Sequence, residues 1–202
     1  MSAFAVAAFH DPILPFGARA VEAVVWIRAA GLGSAGADVA LTLWTPAGAE
    51  LTALREVTPA TADRLAACVR VDDHALRFDG GCWSDGVYEF ELAVALPARD
   101  PGEEMLVARV GLLAAGEQVG GALVAVRWAD ARFEDERSGG AEAAPPGTAV
   151  VASADLPTGA SPEPRHTGAG EAGAAGPCRA CGALPEDGDR FCEACGRELG
   201  GG

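Results

Sequence analysis

From residue 4 to about residue 128, apolar and polar side chains alternate along the chain. In "GVYEFELAVAL" (Gly86–Leu96), Tyr88, Phe90, Leu92, Val94 and Leu96 fall on one face; Val87, Glu89, Glu91, Ala93 and Ala95 fall on the other. Successive side chains of an extended backbone point to opposite sides, so a period of two predicts a half-buried antiparallel strand. Ala20–Ala29, Asp38–Trp44, Glu104–Ala114 and Gln118–Trp128 repeat the pattern, and Phe4–Phe9, Glu50–Val57 and Ala67–Val71 do so more weakly. Turn-forming residues separate these runs: "TPAG" (Thr45–Gly48), "FDGG" (Phe78–Gly81), "RDPGEE" (Arg99–Glu104) and "AAGEQ" (Ala114–Gln118). "TPATADRLAACV" has room for one helical turn. The spacing predicts a mainly β chain whose first domain, residues 1–136, is an antiparallel β-sandwich of about seven to nine strands.

The pattern stops abruptly. Residues 137–176 are mostly Gly, Ala, Pro and Ser, with almost no large apolar side chain. Such a segment buries too little surface to offset the entropy of ordering it, and is expected to be a disordered tether.

Beyond it, residues 177–202 hold "CRACGALPEDGDRFCEACG", with four of the six cysteines: Cys178, Cys181, Cys192 and Cys195. The spacing is C-x2-C, ten residues, C-x2-C, and a glycine follows each pair. Two thiolates three residues apart can face one ion if the backbone turns back sharply, and glycine permits the positive φ of such a knuckle. Two knuckles complete a tetrahedral four-sulfur site, so a structural Zn²⁺ in a small zinc ribbon is expected, with no position left open for catalysis. So short a segment has little core of its own, and metal binding would supply most of its folding free energy. Phe191 and Leu184 or Leu199 are the candidate apolar cover. Disulfides, a redox pair and iron are the competing readings; a redox CxxC normally occurs singly, in a larger fold.

Charge narrows the partners. The chain of 202 residues carries a net charge of −14, and every one of its fifteen cationic residues is Arg. The tail is acidic too: Glu186, Asp187, Asp189, Glu193 and Glu198 stand against Arg179, Arg190 and Arg197. A zinc ion held by four thiolates adds further negative charge. Phosphate backbones and anionic lipid would be repelled, which favours a protein partner over nucleic acid. The sequence contains no apolar run of membrane-spanning length and no basic-then-apolar leader, so the expected location is the cytoplasm, where paired cysteines bind metal more often than they form disulfides.

No other group of residues makes a recognisable site. His10, His74 and His166 are scattered, and a strand-end, loop or tether role is expected of each. Cys68 and Cys82 could approach one another across neighbouring strands but are expected to be free and partly buried. Asp72, Asp73 and Asp79 lack the alternating spacing of a calcium loop. "GLGSAG" lacks the Lys-Ser/Thr ending of a phosphate loop. Trp26, Trp44 and Trp128 are expected in the core or on a sheet face. Trp83, in "GGCWSDG", is expected in a loop, exposed, as a partner contact.

Two resemblances add to this reading. "GDRFCEACG" resembles the zinc-ribbon tails of bacterial regulatory proteins, with Arg179 where Pro is frequent. "DVALTLWTPAGAELTALREVTPATADRL", "GEEMLVARVGLL" and "GALVAVRW" resemble the β-rich segment that follows the von Willebrand factor A (VWA) domain in a family of actinobacterial VWA proteins. "FHDPILPFGARAVEAVVWIRAAG" is similar to the strand that precedes that domain. The resemblance covers roughly residues 9–128 and implies a sandwich whose VWA insertion is replaced by "GLGSAGA" (Gly31–Ala37). The Asp-x-Ser-x-Ser metal motif of VWA domains is absent from the sequence, so no adhesion-site residues carry over. The expected function is that of a non-enzymatic, zinc-binding adaptor or accessory to a VWA-type system. The alternative is a nucleic-acid- or polymerase-associated regulator acting through the ribbon.

Overall fold

The computed structural model describes residues 3–129, 177–185 and 189–199. The tether expected over 137–176, with His166, lies outside the described residues, as do Glu186 and Asp187.

Among the described residues eleven strands run in chain order: β1 (Ala3–His10), β2 (Ile13–Leu14), β3 (Ala20–Ala30), β4 (Ala37–Trp44), β5 (Glu50–Thr58), β6 (Ala62–Asp63), β7 (Val69–Arg70), β8 (Ala75–Trp83), β9 (Gly86–Ala95), β10 (Glu104–Ala114) and β11 (Glu117–Trp128). One sheet has the order β1-β3-β9-β5-β6 and the other β2-β11-β10-β4-β8-β7. All pairings are antiparallel except the two-residue contact of β2 with β11. The expected sandwich is therefore present, with the weak run at Ala67–Val71 resolved into a short 3-10 turn, Leu65–Ala67, followed by β7.

The alternation seen in the sequence places the core. Tyr88, Phe90, Leu92 and Val94 of β9 are all buried, and across the sandwich they share one cluster with Leu41, Leu43, Val110, Leu112 and Val126. Trp128, completely buried, donates its indole N–H to Ala18 O at 3.1 Å, which satisfies the one polar atom such a side chain brings into a core. Where the sheets meet at β1 and β11, the His10 Nε2 donates to Ala125 O at 2.7 Å. His10 thus ties the two sheets at the end of a strand.

Two expectations fail in one place, for one reason. "FDGG" is not a turn but the middle of β8. Val39 pairs with Gly81 and Ala40 with Asp79, so Gly80 is the extra residue of a bulge and Gly81 adopts φ +72°. The missing side chain at Gly80 makes room for Trp83: a Cβ there would lie 2.8 Å from the indole Nε1. Trp83 is consequently not exposed in a loop. It is buried, stacked on Tyr88 at 3.9 Å between ring centroids, with its Nε1 donating to Gly80 O.

Candidate metal centre

The cysteine tail is built from two copies of one turn. In the first, Gly182 N donates to Cys178 O at 2.8 Å and Cys178 N donates to Ala183 O at 2.7 Å. In the second, Gly196 N donates to Cys192 O and Cys192 N to Arg197 O, both at 2.8 Å. Gly182 and Gly196 take φ of +76° and +71°. This left-handed region is open to glycine at little cost, which explains why C-x2-C-G occurs twice. A bridge between Phe191 and Glu198 and a bond from Leu199 N to Arg190 O close the second half of the module.

The turns bring four sulfurs together. Cys178 Sγ lies 3.8 Å from Cys195 Sγ and Cys181 Sγ lies 3.6 Å from Cys192 Sγ, and all four atoms fall within 4.8 Å of one another. A tetrahedron of sulfurs about 2.3 Å from a central ion has edges of about 3.8 Å. The set therefore fits a four-coordinate metal ion. Cys178, Cys192 and Cys195 are buried and Cys181 is exposed. Of the proposed cover, Phe191 is buried and Leu199 packs on the cluster, whereas Leu184 is 80% exposed and contributes nothing. Leu184 falls between the two turns, in the loop that joins them.

Crowding four thiols has electrostatic consequences. Burial, reinforced by hydrogen bonds from the neighbouring thiols, pushes Cys195 up to about 12. Burial raises Cys192 as well. At Cys178 burial acts in the same upward sense but is outweighed by the amides of Ala180 and Cys181 and by its thiol neighbours, which bring it down to about 7. One negative charge is accommodated and further ones are resisted. A divalent cation reverses this balance, because a coordinating thiol is deprotonated outright.

The structure brings the tail onto the sandwich, an arrangement that tether and motif had not indicated. Gly196 O accepts from Leu106 N and Ala194 O accepts from Ala47 N, each at 2.9 Å. Arg99 donates to Cys195 O at 3.3 Å. Arg109 pairs with Glu193 at 2.5 Å, Arg190 with Glu104 at 2.8 Å, and Arg197 with Glu103. Exposed ion pairs are worth about 0–1 kcal/mol each. Net backbone hydrogen bonds contribute about 0.5–1.5 kcal/mol each, against about 10–16 kcal/mol for a structural zinc ion in peptides of this kind. A metal would dominate the folding of the tail; the contacts orient it. These docking residues are separated by 84 (Arg109 and Glu193) to 147 (Ala47 and Ala194) positions in sequence, so no local motif marks them.

The remaining candidates do not converge. His74 Nδ1 donates to Thr45 O at 3.2 Å, and Asp72 Oδ1 accepts from the amides of His74 and Ala75, so both close a turn. Asp79 pairs with Arg77. Cys68 and Cys82 are free; Cys68, just before β7, is half-buried as expected, whereas Cys82, opposite Asp38 on β4, is exposed rather than partly buried. Burial, then the nearby Asp63, raises the Cys68 thiol. Among the described residues the four tail cysteines are the one group of His, Cys, Asp and Glu close enough to share an ion.

The chain is similar to a solved structure described as von Willebrand factor type A from Catenulispora acidiphila, at 27% identity and a TM-score of 0.46 over 48% of this chain and 24% of that one. It is similar to the major pilin subunit BcpA of Bacillus cereus at 8% identity, with a TM-score of 0.42 over 62% of this chain and 40% of the other. A non-cellulosomal cohesin from the hyperthermophilic archaeon Archaeoglobus fulgidus shares 11% identity, with a TM-score of 0.37 over 68% of this chain and 99% of the cohesin. The match therefore spans about a quarter of the length of the von Willebrand factor type A chain. No family model matches the sequence, and no curated protein does.

Proposed function

We propose that the chain is a non-enzymatic, zinc-binding adaptor or accessory protein that acts by protein–protein contact in a VWA-type regulatory system. The observation that carries this reading is the gathering of four Sγ atoms within 4.8 Å by two glycine-ended turns. Zinc suits such a site because it accepts four thiolates in a tetrahedron and has no redox chemistry to manage. With sulfur in all four positions the ion is structural, and no position is open to a substrate or an activated water. A reducing cytoplasm would keep the four tail thiols free for this role. The VWA connection rests on the resemblance of residues 9–128, and the protein partner on the net charge of −14, which disfavours phosphate.

The test is metal analysis of the purified full chain beside a Cys192→Ser variant. The native chain should carry one zinc ion and the variant close to none. Equal metal content in the two would defeat the assignment, and salt-dependent retention of the native chain on DNA or RNA would favour the regulator reading instead.

A further inference from the structure

We infer that the zinc ribbon works as a metal-dependent latch whose docking site is the open edge of the sandwich in its own chain. The inference rests on the metal reading above and adds what the metal would control.

The docking site exists because β4 is too short to cover β10. Pairing between them runs from Arg109 with Trp44 to Ala114 with Val39, so Glu104–Ala108 extend past the end of β4 with one edge unpaired. An uncovered strand edge carries amides that seek a partner. The tail supplies it: Arg197 pairs antiparallel with Met105, and Leu106 N donates to Gly196 O. The turn after β4 is engaged as well, through Ala47 N and Ala194 O.

Burial supports the same conclusion. Leu106 is completely buried, yet it stands outside the apolar cluster that includes its neighbours Met105 and Val107. Pro46 is buried in a turn. Both touch the position of Gly196, where a Cβ would lie 2.5 Å from Leu106 O and 2.9 Å from the Pro46 ring. The glycine that allows the second turn is therefore also the point of closest approach to the sandwich.

Coupling to the metal follows from where the contacts originate. Glu193, Ala194, Cys195, Gly196 and Arg197 supply most of them, and all lie between or just after the ligand positions Cys192 and Cys195. Their arrangement is set by that turn, which the ion would hold. Loss of the ion dissolves the turn and with it the whole set of contacts, leaving the Glu104–Ala108 edge open. Linkage then requires the reverse effect: docking must tighten metal binding by the same factor that metal tightens docking.

The experiment is amide hydrogen exchange on the full chain, zinc-loaded and after chelation, read at Leu106 and Ala47. Chelation should speed exchange at both by about tenfold or more while the β9 amides stay protected, and restored zinc should reverse it. A second arm uses Glu103→Arg with Glu104→Arg, which places repulsion opposite Arg197 and Arg190 without touching a thiol. That variant should still bind one zinc ion, but about 5- to 100-fold more weakly by chelator competition. The added positive charge would by itself strengthen a thiolate site, so weakening reports lost docking. Metal removed with Leu106 and Ala47 still protected overturns the latch and leaves the zinc reading intact. Unchanged affinity in the variant despite fast exchange also overturns it. A native chain that takes up no zinc overturns both.

Discussion

The sandwich and the cysteine tail solve the same problem by opposite means. In the sandwich, stability is spread over dozens of side chains: Val25, Ile27, Phe90, Leu92, Val94, Leu112 and Val126 each bury almost their whole surface, and each adds an increment. In the tail, three of the buried side chains are the cysteines Cys178, Cys192 and Cys195, and the apolar cover amounts to Phe191, Leu199 and small residues. A distributed core tolerates a single loss and fails gradually. A core centred on one ion, which these four sulfurs could hold, would fail when any one of the four was lost. Small segments use this second strategy because their surface-to-volume ratio denies them the first.

That contrast can be broken from the sandwich side. Phe90, buried and in edge contact with Phe78, sits at the centre of the core. Phe90→Ala should lower unfolding stability by about 3–5 kcal/mol, measured from the denaturant midpoint. The same variant should still bind metal at the temperature where its sandwich remains folded. Unfolding the core should weaken metal binding by about 5- to 100-fold, the docking contribution, and complete loss of the ion at the same denaturant concentration would mean that the tail has no metal-centred core of its own.

A smaller effect sharpens the tail. The metal-free thiols hold protons, Cys195 up to about 12 and Cys178 to about 7. An incoming ion must displace them, so affinity rises as pH rises through these values and falls as pH falls. Cys192 and Cys195 keep their protons throughout this range and Cys178 keeps part of its own, so at least two are displaced per ion and affinity should change by at least about 100-fold per pH unit between about pH 6 and 8. Titration against a chelator of known pH dependence measures it, and a flat profile would mean that the thiols are not the ligands. The sandwich, whose core is apolar, should show no comparable step.

The smallest expected effect lies at the bulge in β8. Gly80→Ala places a methyl 2.8 Å from the Trp83 indole, which cannot swing aside because it is stacked on Tyr88. Overpacking of this kind costs about 1–3 kcal/mol, visible in the unfolding midpoint, and metal binding should be unaffected. A neutral substitution would show that the Trp83 ring has room to move.

Particular residues show how far the chain could be read without its structure. The β9 alternation gave its buried face correctly because strand side chains obey a local period. The four cysteines were legible because a knuckle closes within five residues and demands glycine at its end. Reading failed at Phe78–Gly81, where glycines that look like a turn form a bulge inside a strand. It failed at Trp83, whose burial depends on Tyr88 from the next strand. Of the two leucines offered as cover for the cysteines, Leu199 packs on them, while the loop between the turns leaves Leu184 outside.

The amino-acid order alone determined which segments extend, which faces are apolar and which four thiols can meet, since each of these depends on neighbours a few residues away. Only the tertiary structure decided that the tail lies against Met105, Leu106 and Ala47. The reason is physical. That contact exists because β4 ends before β10 does, and a mismatch between two strand lengths acquires meaning only once the strands are paired.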